Sequence, residues 1–148
     1  MKCEDALKQP KPEAPDVPIV LVAAAALVNK DGEVLIAQRP EGKSMAGLWE
    51  FPGGKVDAGE TPEFALMREL EEELAIETRP CRFHPIAFAS HTYDNFHLLM
   101  PLFVCRAWKG EMKMNEHQSF AWVKPIDMLD YPMPEADIPL VAALREML

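Results

Sequence analysis

The sequence is poor in cysteine and in basic residues, and both shortages limit what the protein can be. Its three cysteines, Cys3, Cys81 and Cys105, lie far apart and form no CxxC pair. This usage argues against a disulfide framework and fits reduced thiols in a cytoplasmic protein. Lysine and arginine number 15 against 24 acidic residues, a formal net charge of -9. That balance argues against stable nucleic-acid binding, which needs a basic surface.

Apolar runs are also short. The run VPIVLVAAAALV, residues 17–28, falls well below the roughly 20 residues that a membrane-spanning helix requires. Residues 1–16 mix acids with lysines, whereas a secretory signal opens with a basic segment. We therefore interpret the run as a buried strand and predict no membrane association.

The remaining composition is that of one globular domain, with 49% hydrophobic and 26% charged residues. Proline and charge dominate residues 1–16, which predicts a flexible tail ahead of a domain at 17–148. Strands are predicted near residues 19–29, 34–39, 49–51, 82–90, 97–108 and 119–123, and helices near 61–75, 125–131 and from 139 onwards. This order predicts an α+β fold, an α/β/α sandwich with a central mixed sheet flanked by helices.

The helix near residues 61–75 has clear start signals. Thr61 is suited to the N-cap and Pro62 to the first helical position. Just before it, Pro52-Gly53-Gly54 predicts a tight turn. Because its glycines lack side chains, the backbone there can approach an ion or a phosphate closely.

Four glutamates crowd this helix: Glu69, Glu71, Glu72 and Glu73. At 100° per residue, Glu69, Glu72 and Glu73 share one face, whereas Glu71 points away. Like charges at this spacing cost about 0.2–0.5 kcal/mol per pair. A solvated acidic face is the alternative for such a run taken alone. A hard divalent cation would offset the repulsion, because carboxylate oxygens are its preferred ligands.

The spacing of these acids resembles the Nudix box, G-x5-E-x7-R-E-U-x-E-E-x-G-U, where U is a bulky aliphatic residue. Its strict glycine, glutamate and arginine positions are occupied by Gly54, Glu60, Arg68, Glu69, Glu72 and Glu73. One position departs, because Ala75 replaces the second glycine; this predicts a slightly different exit from the helix. Residues 35–61 and 108–144 also resemble MutT-type Nudix hydrolases, so the resemblance implies a Nudix fold.

The resemblance implies a metal centre. Its ligands would be the carbonyl of Gly53 and the carboxylates of Glu69, Glu72, Glu73 and Glu116. They would hold Mg²⁺, with Mn²⁺ as an alternative. Glu69, Glu73 and Glu116 would be catalytic, with Glu69 favoured as general base and Glu116 as its competitor. For Glu116 a place as an exposed loop acid is the alternative.

Further residues would contact substrate or hold the motif together. Arg39 and Lys55 flank the glycines and are predicted to bind phosphate rather than to be merely solvated. Asp137 is predicted to hydrogen-bond a base edge, with Phe51 and Tyr93 sandwiching the base; a place in the core is the alternative for both rings. The residues expected to hold the motif together are Gly54, Glu60 and Arg68.

The activity implied by the resemblance is Mg²⁺-dependent hydrolysis of (deoxy)nucleoside triphosphates to monophosphate and pyrophosphate. It would sanitise the nucleotide pool and so serve DNA replication and repair, with 8-oxo-dGTP as the first substrate. The ending YPMPEADIPL, residues 131–140, also resembles relatives that act on CTP or modified pyrimidine nucleotides. Hydrolysis of a nucleotide sugar or related diphosphate and a non-catalytic nucleotide-binding module are weaker alternatives. Monomer and homodimer both stay open.

Overall fold

A computed structural model describes residues 3–115 and 119–148 of the chain. The strands are β1 Ile19–Leu27, β2 Val34–Gln38, β3 Trp49–Glu50, β4 Gly53–Lys55, β5 His84–Thr92, β6 His97–Cys105 and β7 Ser119–Val123. The α-helices are α1 Cys3–Ala6, α2 Pro62–Leu74 and α3 Ile138–Met147, and 3₁₀ turns cover Pro80–Arg82, Pro125–Asp130 and Glu135–Asp137. None of the described helices is both long enough and apolar enough to cross a bilayer.

The strands form two sheets. In the first, of order β4-β1-β6-β5, β1 runs parallel to β6 and the other neighbours are antiparallel. The second is antiparallel, of order β3-β2-β7. The predicted α+β fold with a mixed sheet and flanking helices is confirmed, although the strands are shared between two sheets.

Strand β1 is buried on both of its faces. Alternate residues from Ala23 to Leu27 pack in one cluster with the leucines of α2, and those from Ala24 to Val28 pack in another with α3. Because side chains alternate along a strand, the continuous apolar run supplies both clusters at once. The interpretation of this run as a buried strand is therefore confirmed.

Helix α2 begins where the sequence predicts. The Thr61 hydroxyl accepts a hydrogen bond from the Phe64 N–H at 3.2 Å, and Pro62 is the first helical residue. The leucine stripe of Leu66, Leu70 and Leu74 is fully buried. These contacts fix the rotation of the helix and therefore the direction in which its glutamates point.

The helix ends in a left-handed residue, which corrects one expectation. Ala75 has φ 57° and ψ 30°, and its N–H donates to the Glu71 carbonyl at 3.0 Å. The prediction of a different exit was wrong, because the chain keeps the backbone shape that glycine favours and places alanine in it. An L-residue in this region carries a steric cost of about 1 kcal/mol or more.

Replacing Ala75 by glycine is therefore expected to stabilise the protein by about 1 kcal/mol. Urea unfolding measures the change as an increase in midpoint at constant slope. The matched control is Ala142→Gly, the same change at an exposed position inside α3, which should destabilise by about 1 kcal/mol. Equal destabilisation by both variants would contradict the strained exit.

The glycines before α2 form a strand, so the predicted tight turn was wrong. Strand β4 pairs with β1, Gly53 opposite Ala24 and Gly54 opposite Ala23. A Cβ on Gly53 would lie 2.0 Å from the Ala23 carbonyl oxygen, and its φ is +154°. Gly-Gly is typical of turns, but here it lets two backbones approach within a sheet.

Candidate active site

A cavity with a volume of about 270 Å³ opens beside β4, and we call it the β4 cavity. It brings together most of the residues singled out in the sequence: Arg39, Phe51, Gly53, Gly54, Lys55, Glu73, Tyr93 and Asp137. Glu69 and Glu72 lie on the neighbouring face of α2. Glu116 lies outside the described residues, so its predicted role stays a prediction.

The three glutamates predicted to share one face of α2 differ in exposure. Glu73 is 7% exposed, the Glu69 side chain is 16% exposed, and the Glu72 side chain is 55% exposed. Burial raises the pKa of Glu69, while a hydrogen bond from Arg68 and one shared with Glu73 act in the opposite direction. The carboxyl groups of Glu69 and Glu73 are thus close neighbours, as their spacing predicts. Glu71 is exposed.

Gly54 forms a cradle for the Glu69 side chain. A Cβ added to Gly54 would lie 2.3 Å from Glu69 Cδ and 2.6 Å from each of its carboxylate oxygens. The carboxylate therefore rests directly on the backbone of β4. Any side chain at position 54 would move it.

Replacing Gly54 by alanine is expected to lower kcat/KM about 100-fold, because displacing a reacting group by about 1 Å costs that much. Steady-state hydrolysis of the triphosphate substrate that the resemblance implies measures the loss. Gly59→Ala is the control, since Gly59 has φ +84° with open space around its Cβ position; it should lose some stability and keep its turnover. An equal loss in both variants would refute the cradle.

Arg68 ties α2 to the loop before it. Its guanidinium binds the Glu60 carboxylate through two bonds of 2.8 Å and donates to the Lys55 carbonyl at 3.2 Å. The hydrogen bond from Arg68, together with one from the Asp57 N–H, lowers the pKa of Glu60 to about 2. This bidentate pair fixes loop and helix against each other.

The same guanidinium also reaches the acidic face. Arg68 Nη1 lies 3.0 Å from Glu69 Oε1 and 3.4 Å from Glu72 Oε2. Within residues 3–115 and 119–148, no three acidic, histidine or cysteine side chains converge as a metal-binding group. The carboxylates instead share the positive charge of Arg68.

The donor atoms of these residues nevertheless suit a hard divalent cation, although the described side chains do not converge on a single point. Carboxylate oxygens on one helix face, with the Gly54 backbone beside Glu69, provide the oxygen donors that Mg²⁺ prefers. The partial burial of Glu69 and Glu73 makes an additional positive charge more favourable there. Glu69, Glu72, Glu73 and the Gly53 carbonyl are the groups that would hold it.

Cations line the β4 cavity. Arg39 donates to the Ser44 carbonyl at 2.7 Å and pairs with Glu50 at 3.2 Å, so its guanidinium is already engaged. Lys55 lines the same cavity. A third cation, Lys43, was missed by sequence reasoning. Its position in the loop between β2 and β3 was the available signal.

Asp137 also lines the β4 cavity and is 4% exposed. Burial raises its pKa to about 7, repulsion from Glu50 adds to the rise, and a hydrogen bond from the Phe51 N–H opposes it. Sequence reasoning missed Glu50. An acid inside the short strand WEF was the signal that could have pointed to it.

Phe51 and Tyr93, predicted to sandwich the base, both line the β4 cavity, and the sandwich itself stays a prediction. Phe51 is 4% exposed, packs in the core and also lines the cavity. The Tyr93 ring stacks on Phe96, with centroids 5.1 Å apart, and its hydroxyl accepts a hydrogen bond from the Ala136 N–H at 3.4 Å. Phe96 also lines the cavity and carried no signal in the sequence.

Comparison with known proteins gives consistent matches. The family model described as NUDIX domain matches residues 23–143. A CTP pyrophosphohydrolase of Escherichia coli K12 is 40% identical over 133 residues, covering 86% of this chain and 93% of that protein. An 8-oxo-dGTP diphosphatase of Haemophilus influenzae is 37% identical over 136 residues, covering 87% and 93%. The solution structure of the E. coli ORF135 protein is 36% identical with a TM-score of 0.78, covering 88% and 91%.

Proposed function

Because the chain belongs to the NUDIX domain family and is a hydrolase of the MutT type, we propose that it hydrolyses (deoxy)nucleoside triphosphates to nucleoside monophosphate and pyrophosphate with Mg²⁺. The observation that carries the proposal is the face of α2. Glu69 lies against Gly54, and Glu73 is buried at the β4 cavity. Two carboxylates therefore lie beside a cleft that is lined by cations and aromatic rings.

Different residues of the chain bind the phosphates and accept the proton of the attacking water. Lys55 and Arg39 offset the negative charge of the triphosphate, and Arg39 must exchange its contact with Glu50 to do so. Glu69 accepts the proton of the attacking water, with Glu116 as the alternative base. Mg²⁺, when bound, supplies charge neutralisation at the phosphate oxygens and a more acidic water.

Base recognition falls to Asp137 and Glu50, which both line the β4 cavity. Asp137 and Glu50 place two carboxyl groups near one another, and both can accept hydrogen bonds from a base. Such a pair suits a base that presents amino or imino N–H donors. Tyr93 and Phe96 offer the aromatic surface beside it.

Two substrates meet these requirements. The N–H donors of 8-oxoguanine make 8-oxo-dGTP the first candidate. The exocyclic amino group of cytosine makes CTP, with its modified pyrimidine analogues, the second. The similarity over 86% of the chain to a protein named CTP pyrophosphohydrolase favours this second candidate specifically.

The test is a panel of 8-oxo-dGTP, dGTP, CTP, dCTP, UTP and ADP-ribose, assayed with Mg²⁺ for pyrophosphate, phosphate and nucleotide products. We expect nucleoside monophosphate and pyrophosphate from the triphosphates, and the highest kcat/KM with 8-oxo-dGTP. A higher kcat/KM with CTP would select the second candidate. Turnover of none of the panel would overturn the proposed activity, and turnover of ADP-ribose alone would overturn the substrate class.

A further inference from the structure

A second cavity, unused by the proposed reaction, lies beyond the C-terminal end of α2. Its volume is about 360 Å³, and it forms where residues 77–82 meet residues 107–109. The Glu77 N–H donates to the Lys109 carbonyl at 2.9 Å, and the Lys109 N–H donates to the Glu77 carbonyl at 3.0 Å. We call this the basic cavity. None of the residues that line it lines the β4 cavity.

The basic cavity carries a local excess of positive charge in a chain of net charge -9. Three cations, Arg79, Arg82 and Lys109, line it against the single carboxylate of Glu77. Arg79 already pairs with Glu77 at 2.7 Å. Arg82 and Lys109 make no ion pair with any residue in the described part of the chain.

The cations of the basic cavity also act on the carboxylate of Glu77. Hydrogen bonding and charge from Arg79 hold the pKa of Glu77 below its usual range, and the charge of Lys109 adds to the effect. Even with Glu77 ionised, two of the three cations stay uncompensated at short range. A ligand that balances them should carry about two negative charges.

A buried hydroxyl provides an independent observation at the same place. Thr78 lines the basic cavity and is 2% exposed, and its hydroxyl oxygen has no hydrogen-bond partner among the residues that the structure describes. Burying such a group without a partner costs about 1–3 kcal/mol. In native proteins, a bound water or ion commonly satisfies a group of this kind.

From the two uncompensated cations and the unsatisfied hydroxyl, we propose that the basic cavity binds a phosphate group, as inorganic phosphate or as a phosphate monoester. A phosphate near neutral pH carries the required charge of about -2. Arg82 and Lys109 supply charge-assisted hydrogen bonds to its oxygens. After a small side-chain shift, the Thr78 hydroxyl is reached by a ligand oxygen or by a water bound with it.

The first test is an NMR titration of the full chain with sodium phosphate, with ionic strength held constant by chloride. The amide signals of Thr78, Arg82 and Lys109 should shift and saturate, and Arg82→Gln should weaken binding about tenfold. The control is Arg106→Gln, which removes a cation from a different cavity and should leave the Kd within about twofold. Unsaturable shifts, or equal weakening by both variants, would overturn the proposal.

The second test uses Thr78→Val, which removes the unsatisfied hydroxyl while keeping its shape. In phosphate-free buffer this variant should unfold at a higher temperature than the parent protein. Added phosphate should raise the Tm of the parent more than that of the variant, because only the parent offers the hydroxyl to the ligand. A lower Tm without phosphate together with an undiminished response to phosphate would contradict the role of Thr78.

A parallel titration with glycerol 3-phosphate distinguishes the two sources of the phosphate group. Tighter binding of the ester would assign the site to a phosphate monoester, and tighter binding of inorganic phosphate would assign it to the free ion. Absence of saturable binding of both up to about 10 mM would overturn the site. Because these tests are run without nucleotide, failure here leaves the hydrolase proposal intact.

Discussion

The Glu73→Gln variant is expected to lose about 100-fold to 1,000-fold in kcat while keeping its fold. Glu73 is buried at the edge of the β4 cavity. Removing a carboxylate that helps hold a divalent cation forfeits several kcal/mol of transition-state stabilisation, and each 1.36 kcal/mol is a factor of ten. Glutamine keeps the shape, so thermal unfolding should change by only a few degrees. Steady-state kinetics and calorimetric unfolding measure both quantities.

The matched control for this prediction is Glu71→Gln. Glu71 lies on the same helix but is exposed and points away from the cavity, so its loss should leave kcat almost unchanged. Mg²⁺ binding, measured by titration calorimetry without nucleotide, gives a readout independent of turnover. It should weaken in Glu73→Gln and not in Glu71→Gln. Near-normal turnover of Glu73→Gln would refute the metal role of this side chain.

The second large effect concerns Asp137 and pH. Its pKa is about 7 in the folded protein against an ordinary 3.8. Between these values the folded state binds a proton that the unfolded state releases, so the free energy of unfolding falls as pH rises. An asparagine side chain at this position would not titrate. From pH 5 to pH 8, the stability of Asp137→Asn relative to the parent should therefore rise by about 3 kcal/mol.

Thermal unfolding at several pH values measures this effect. At about 2–4 °C per kcal/mol for a chain of this size, the Tm difference should widen by roughly 6–12 °C. Asparagine can still accept the hydrogen bond from the Phe51 N–H. The control is Asp130→Asn, the same change at an exposed position. Its Tm should change with pH in parallel with the Tm of the parent. Parallel curves for Asp137→Asn would show that this carboxyl ionises normally.

Most of the features that could be predicted depend on interactions between residues close together in the sequence. The cap at Thr61 and the leucine stripe of α2 depend on neighbours within a turn or two. The shared face of Glu69 and Glu73 follows from helical geometry alone. The burial of both faces of β1 likewise follows from a continuous run of apolar residues in the sequence.

What the sequence did not reveal depends on pairing between distant segments. Gly53-Gly54 has the composition of a turn, and only its fit against Ala23 makes it a strand. The proximity of Glu50 and Asp137 arises from the packing of the C-terminal segment beside β3. The position of Thr78 inside a basic cavity results from the bridge between Glu77 and Lys109.

The alanines of β1 have a consequence for the dimensions of the catalytic centre. Ala23 belongs to the cluster beneath α2, Ala24 belongs to the cluster beneath α3, and both line the β4 cavity. The single methyl groups on the two faces of this strand act as a spacer between the helix that carries the carboxylates and the region that holds Asp137. A larger residue at either position would narrow the β4 cavity, so its dimensions depend on two of the smallest side chains in the core.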